Sequence, residues 1–92
     1  MAVREIRIDA HTLERAQERG TDAEHIRDVV QTGIPVIVGK GRLAKFKVYD
    51  YHGSWRGHFY EQQLVKVIYV IEENAIITVT VIVHYGRWEE PK

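Results

Sequence analysis

The sequence contains no cysteine, so it has neither a disulfide framework nor a thiolate metal site. No apolar run approaches the roughly 20 residues of a membrane-spanning helix. The first residues, Met-Ala-Val-Arg-Glu, lack the apolar core of a signal peptide. These absences favour a cytoplasmic protein that has no membrane partner.

The sequence also lacks an excess of charge of either sign, because 13 basic residues balance 13 acidic ones. A neutral chain has no general attraction for nucleic acid or for anionic membranes. The charge is nevertheless uneven, since residues 36–66 carry a net charge of +4 and each flanking segment carries −2. The middle third can therefore present a basic patch, or its lysines and arginines can simply keep strand surfaces soluble.

Ninety-two residues, 45% of them hydrophobic and 28% charged, fit one ordinary globular domain over residues 1–92. Two apolar runs, residues 64–71 and 75–85, flank Glu72-Glu73-Asn74 and predict an antiparallel hairpin. The odd positions of both runs form apolar rows that we expect to face the core, with Thr78, Thr80 and His84 on the other face. That second face also carries several isoleucines and a valine, so we expect it to be partly covered: Ile68, Val70, Ile76 and Ile82.

Two helices are predicted before the strands. Asp9 has the chemistry of an N-cap for a helix over residues 10–19, which Gly20 ends. Thr21 and Glu24 have the spacing of a capping box for a second helix that runs to Thr32 and ends at Gly33.

The remaining segments predict strands. Residues 3–8 suit a short edge strand or an extended lead-in, residues 36–38 a short strand, and residues 43–51 a longer one. Residues 52–57 contain two glycines and predict a loop, after which a strand begins at His58. The order predicts an α+β fold, with two N-terminal helices packed on one face of a 3–4-stranded antiparallel sheet.

The first helix carries His11, Arg15 and Arg19 at four-residue steps, so the three side chains lie along one ridge. Arginine offers a planar donor fork to phosphate oxygens, and histidine exchanges a proton near neutral pH. The ridge is therefore a candidate catalytic, phosphate-handling set. The alternative is that Glu14 and Glu18 pair with the arginines on a solvated helix.

Other catalytic patterns are missing. The five histidines show no metal-ligand spacing on a helix, and Ser54, the only serine, lies outside a nucleophile elbow. No glycine-rich phosphate loop precedes a helix, so neither a metal nor another cofactor is expected.

Cations and aromatic rings alternate along the predicted strands, a combination that single-stranded RNA binding uses. The set comprises Lys45, Lys47, Tyr49, Tyr51, Tyr60, Lys66, His84 and Tyr85. Lys45, Lys47, Tyr49 and His84 are the candidate substrate-binding residues. For any single tyrosine the alternative is a packing role in the sheet.

The pattern His11-x3-Arg15-x2-Glu18-Arg19-Gly20, with a later Gly41-Arg42 and the strand Ile77-Thr78-Val79-Thr80-Val81, resembles the family called domain of unknown function 4258. Residues 55–60 and 66–70 are also similar to one branch of that family. The resemblance implies a fold of the barnase, EndoU, colicin and RelE type, in which many members are metal-free ribonucleases and toxins paired with an antitoxin. It maps His11, Arg15 and Arg19 onto the family's polar helix motif.

Two hypotheses follow. In the first, the chain is a metal-independent ribonuclease-like toxin, with RNA as substrate and an antitoxin-like protein as partner, in which His11 is a general acid or base and both arginines bind phosphate. In the second, it is a non-catalytic interaction module that forms a homodimer or binds a partner through the second face of its sheet.

Overall fold

A computed structural model of the chain describes residues 5–88. The short strand β1 (Glu5–Arg7) precedes two helices, α1 (Ala10–Arg19) and α2 (Ala23–Thr32). Four strands follow: β2 (Ile34–Ile37), β3 (Leu43–Trp55), β4 (His58–Glu72) and β5 (Ala75–Gly86). The predicted α+β class is confirmed.

The strands form one sheet in the order β1-β5-β4-β3-β2. β1 pairs in parallel with β5, whereas all other neighbours are antiparallel. The sheet therefore has five strands and is mixed, where we expected three or four antiparallel strands. β1 has only three residues, and an alternating pattern of that length cannot distinguish an edge strand from an extended segment without strand pairing.

Local capping explains why the helix boundaries match the prediction. Asp9 Oδ1 accepts a hydrogen bond from the Thr12 backbone N–H at 2.8 Å and begins α1. The capping-box prediction for α2 is wrong, because Asp22 rather than Thr21 is the cap and accepts from the His25 N–H at 2.9 Å. The Thr21 hydroxyl instead lies 3.2 Å from His25 Nδ1.

The β3–β4 hairpin is longer than predicted. β3 bulges between Asp50 and Gly53, after which its pairing with β4 resumes as far as Trp55 opposite His58. Arg56 and Gly57, both with positive φ, make a two-residue turn of the kind that matches the twist of paired strands. The prediction of a loop over residues 52–57 is therefore wrong. β2 likewise begins at Ile34, two residues before the predicted strand.

The β4–β5 hairpin turns where predicted, between the paired residues Glu72 and Ala75. Ile68 pairs with Thr80 but Tyr69 pairs with Thr78, so Val79 is an extra residue in β5. A bulge of one residue exchanges the two faces of a strand on either side of it. The prediction that odd-numbered residues of β5 face the core is therefore wrong for the residues before the bulge. The residues of β5 that face the helices are Ile76, Thr78, Val81, Val83 and Tyr85.

Both helices pack on one face of the sheet, and the buried core lies between. Its members are Ala16, Ile26, Val29, Val30, Val65, Val67, Tyr69 and Val81. Ile6 of β1 and Ile76 of β5 pack against this cluster. Ile76 was expected on the other face, but its cross-strand pairing with Ile71 places it on the helix side.

The opposite face of the sheet is called the open face. By cross-strand pairing its central part carries ten apolar residues and three polar ones: Ile34, Val36, Ala44, Phe46, Val48, Leu64, Ile68, Val70, Ile77, Ile82, Lys66, Thr80 and His84. Neither α1 nor α2 lies on it, since the sheet side chains that bond to the helices all come from the other face. Within residues 5–88, neither helix has the length and apolar character needed to cross a membrane.

Gly20, between α1 and α2, lies against Trp55 and Tyr85 of the sheet. Its φ is +84°, and a Cβ there would overlap the Tyr85 hydroxyl and lie 2.8 Å from the Trp55 ring. Gly57 has a similar φ of +86° but nothing within 4 Å of a Cβ.

Gly20→Ala is expected to lower the free energy of unfolding by about 2 kcal/mol more than Gly57→Ala. Both variants strain a left-handed backbone by about 1–2 kcal/mol, whereas only the first displaces Tyr85 and Trp55. Urea denaturation of the two variants measures the difference. Equal losses of stability would show that the contacts around Gly20 do not hold the helices on the sheet.

Candidate functional site

The α1 ridge is divided in the structure. His11 is exposed, and Arg15 Nη1 donates to Glu18 Oε1 at 2.9 Å. Arg19 Nη1 donates to the backbone carbonyl of Val81 at 2.6 Å, so this guanidinium fastens α1 to β5. Two of the three ridge residues therefore have protein partners.

The candidate substrate-binding residues of β3 lie beneath α2, on the helix-covered face. Lys45 Nζ donates to the Val30 carbonyl at 2.9 Å. This carbonyl is one of the last four of α2, which have no partner within the helix. Lys47 Nζ donates to Asp28 Oδ2 and to Thr32 Oγ1, both at 2.8 Å. These two cations hold the helix to the sheet.

Asp28 is the centre of this polar group. Besides the Lys47 ammonium, it accepts from the Tyr49 hydroxyl at 2.6 Å. The hydrogen bonds from Lys47 and then Tyr49 lower the pKa of Asp28 to about 2. Burial, reinforced by the hydrogen bond to Asp28, raises the pKa of Tyr49, so its hydroxyl stays protonated and donates. The His25 ring lies over that of Tyr49, with centroids 4.3 Å apart.

His84 lies on the open face, across the sheet from the other candidates. It pairs with Leu64, whereas Tyr49 pairs with Gln63 on the helix side. The structure thus brings Lys47 and Tyr49 together on Asp28 and places His84 on the opposite side of the sheet, while His11 and Arg15 lie on α1. The seven predicted site residues do not line one shared cleft.

A buried amide organises the end of the sheet where α1 meets α2. Gln63 is 2% exposed, and its Nε2 donates to the Gly20 carbonyl and to the Tyr85 hydroxyl, both at 3.0 Å. Tyr85 in turn donates to the Arg19 carbonyl at 2.6 Å, which satisfies the C-terminus of α1. The role of Gln63 was missed in the sequence, where the one available signal was a glutamine opening an apolar strand run.

An aromatic cluster surrounds that amide. Trp55 stacks on Tyr85 with centroids 4.9 Å apart, while Tyr51 and Tyr60 contact Tyr85 at 5.1 and 5.5 Å. The Arg56 guanidinium lies 5.4 Å from the centroid of the Trp55 ring. The long β3–β4 hairpin is therefore anchored against the α1–α2 turn, and its rings serve packing.

The open face is an apolar sheet surface that neither helix covers. Phe46, Ile68 and Ile82 are half-buried, and Ile34 at the edge is 46% exposed. Ala44 is buried among larger neighbours, which keeps the surface continuous across β3. The largest apolar patch on a folded monomer is commonly about 300–600 Å² and is often functional.

Charged residues border the open face at one corner. Glu5 and Arg7 of β1 form an ion pair at 2.9 Å, and with Glu72, Glu73 and Ala75 they line a shallow depression beside the β4–β5 turn. Residues 5–88 contain no group of histidine and acidic side chains arranged to hold a metal ion.

Comparison with models of known families, with curated proteins and with solved structures found no match to this chain. No relative therefore indicates a function, and the geometry of the chain has to carry the proposal.

Asp28→Asn is expected to flatten the acid dependence of stability. The pKa of Asp28 is lower in the folded protein than its ordinary 3.8, so ionised Asp28 stabilises the fold above about pH 4, and this contribution is lost as the pH falls to about 2. Urea midpoints measured across that range should fall more steeply for the wild type than for Asp28→Asn.

Tyr49→Phe provides a graded control, because it removes one donor and keeps Lys47. Its slope should lie between the other two. Identical slopes for all three proteins would contradict the assignment of Asp28 as the carboxylate that joins α2 to β3.

Proposed function

We propose that the chain is a protein-interaction module that binds a protein across the open face of its sheet. The observation that supports this most strongly is the distribution of the helices. Both pack on one face, and the other face keeps ten apolar residues without a helix over them.

The size of the open face suits a protein partner. Four strands at about 4.8 Å spacing, and about six residues of each at about 3.4 Å, give a projected area of about 400 Å². This is about half of the roughly 800 Å² that each partner buries in a standard interface, and the polar rim around it adds to the area that a small interface would bury. A small ligand would need a concave pocket, whereas the open face is a sheet surface.

Hydrophobic transfer supplies the driving force. Burying about 400 Å² of mainly apolar surface contributes at most about 10 kcal/mol per partner, at about 25 cal/mol per Å². Loss of translational and rotational freedom costs at least about 4 kcal/mol. Association through this face is therefore expected to be favourable but moderate.

A metal-independent ribonuclease of the barnase and RelE type is the second candidate. Two helices followed by the antiparallel strands β2–β5 support it, together with the resemblance to domain of unknown function 4258 and the exposed His11 on α1. An antitoxin-like protein would then be the partner. It has less geometric support, because Lys45, Lys47 and Arg19 are engaged within the fold.

The two candidates differ in one assay. Labelled RNA incubated with the wild type or with His11→Ala, in the presence of a chelator, should remain equally intact, because an interaction module has no general acid or base to lose. Cleavage by the wild type that disappears in His11→Ala would favour the ribonuclease instead.

Ile68→Asp is expected to abolish the complex that the wild type forms, because it places a charge at the centre of the open face. Native mass spectrometry of the purified protein should show the wild type above the 10.7 kDa monomer and Ile68→Asp at that mass. Ile37→Asp is the matched control, since Ile37 is 97% exposed on β2 and faces the helix side. A wild type found only as the monomer would contradict the proposed function.

A further inference from the structure

Two opposite charges of β4 lie at equal distances from the apolar centre of the open face. Lys66 and Glu72 lie on this face with Ile68 and Val70 between them. At about 3.4 Å per residue, the two charges are about 20 Å apart. A surface with opposite charges at equal distances from an apolar centre is complementary to a copy of itself turned end over end.

The neighbouring strand β1 adds no net charge beside Glu72, because its Glu5 and Arg7 form an ion pair with each other at 2.9 Å. At the other end His84 of β5 lies beside Lys66, since Lys66 pairs with Ile82 two residues earlier. Glu72 therefore makes one end of the central open face acidic, and Lys66 makes the other end basic. Asp50 of β3, which pairs with Gln62, lies on the same face beyond Lys66.

We propose that the occupant of the open face is a second copy of this chain, packed face to face with its strands antiparallel, so that Lys66 of each copy meets Glu72 of the other. This inference rests on the proposed docking surface. It requires a two-fold axis that lies between the sheets, perpendicular to the strands, level with Ile68 and Val70. Such an isologous contact uses the same patch on both copies and closes at two.

The packing distance suits this arrangement. Two sheets stack about 10 Å apart at a crossing angle of about 30°. The long, flexible stem of Lys66 can cover its apolar neighbours Phe46 and Ile82 while its ammonium reaches across the interface. A two-fold axis parallel to the strands would instead bring Lys66 of one copy towards Lys66 of the other, and like charges in contact oppose association.

The sheet edges favour face-to-face association over extension of the sheet. β2 has four residues, and Pro35 within it cannot donate to an added strand. β1, at the other edge, has three residues. Short edges and edge prolines disfavour pairing with another chain, so contact between two open faces is favoured over extension of the sheet at its edges.

Charge reversal tests the arrangement. Lys66→Glu and Glu72→Lys should each weaken self-association about tenfold or more in Kd, measured by sedimentation equilibrium, because each places two like-charge pairs in the interface. The double variant should restore wild-type association. An equimolar mixture of the two single variants should also restore it, because the carboxylate introduced at position 66 of one copy then faces the ammonium introduced at position 72 of the other.

Lys40→Glu and Glu24→Lys are matched controls that make the same charge changes at exposed positions away from the open face, and both should associate like the wild type. Wild-type behaviour of both open-face variants, with association still lost in Ile68→Asp, would overturn the antiparallel arrangement and leave the proposed function standing. A complex whose mass is no multiple of 10.7 kDa would identify another protein as the occupant and would also overturn this inference. A monomer under all conditions would overturn both proposals.

Discussion

The pairing register between β4 and β5 is the constraint on which the rest of the structure depends. The extra residue Val79 turns Thr78 towards the helices, where its hydroxyl donates to that of Thr12 at 3.0 Å in a buried pair. The same bulge sends Ile77 to the open face and leaves Val81 in the core. Without it, Ile77 would face the helices and Thr78 would face the other side, so the bulge places an isoleucine instead of a threonine on the open face.

A second constraint acts at the opposite end of the sheet. The amide of Gln63 and the hydroxyl of Tyr85 satisfy the carbonyls of Arg19 and Gly20, where α1 ends. Buried neutral polar groups of this kind cost little when paired and about 1–3 kcal/mol when left unpaired. Together with the Asp28 group beneath α2, they fix both helices over one face, and so they also determine which face stays open.

Local signals were sufficient for the parts of the fold that depend on few residues. The bounds of α1 follow from Asp9 and Gly20, because capping involves only neighbouring backbone groups. The choice of Asp22 over Thr21 as the second cap could not be predicted, since both side chains suit the position and Thr21 is taken by His25. The β5 bulge was equally hidden, because Ile76 and Ile77 are both apolar and either phase of the alternation therefore gives an apolar core position before the bulge.

The candidate site was predicted less well than the fold, for a related reason. Lys45 and Lys47 look like surface cations in the sequence, yet the β3–β4 register places them beneath α2, where they bond to Val30 and Asp28. Partners 15 or 19 residues away along the chain leave no local pattern. The alternation of the sequence was enough to predict that Ile68, Val70 and Ile82 make the second sheet face apolar. It could not predict which of Ile76 and Ile77 lies on that face, because this depends on the pairing of β4 with β5.

The central claim is that the open face is the surface through which this protein associates. The most direct measurement is a dilution series of amide NMR spectra, which reports association residue by residue. The amides of Phe46, Ile68, Val70 and Ile82 should shift with concentration, while those of α1 should stay constant. Concentration-dependent shifts confined to His11, Arg15 and their neighbours on α1, or none at all, would contradict the claim.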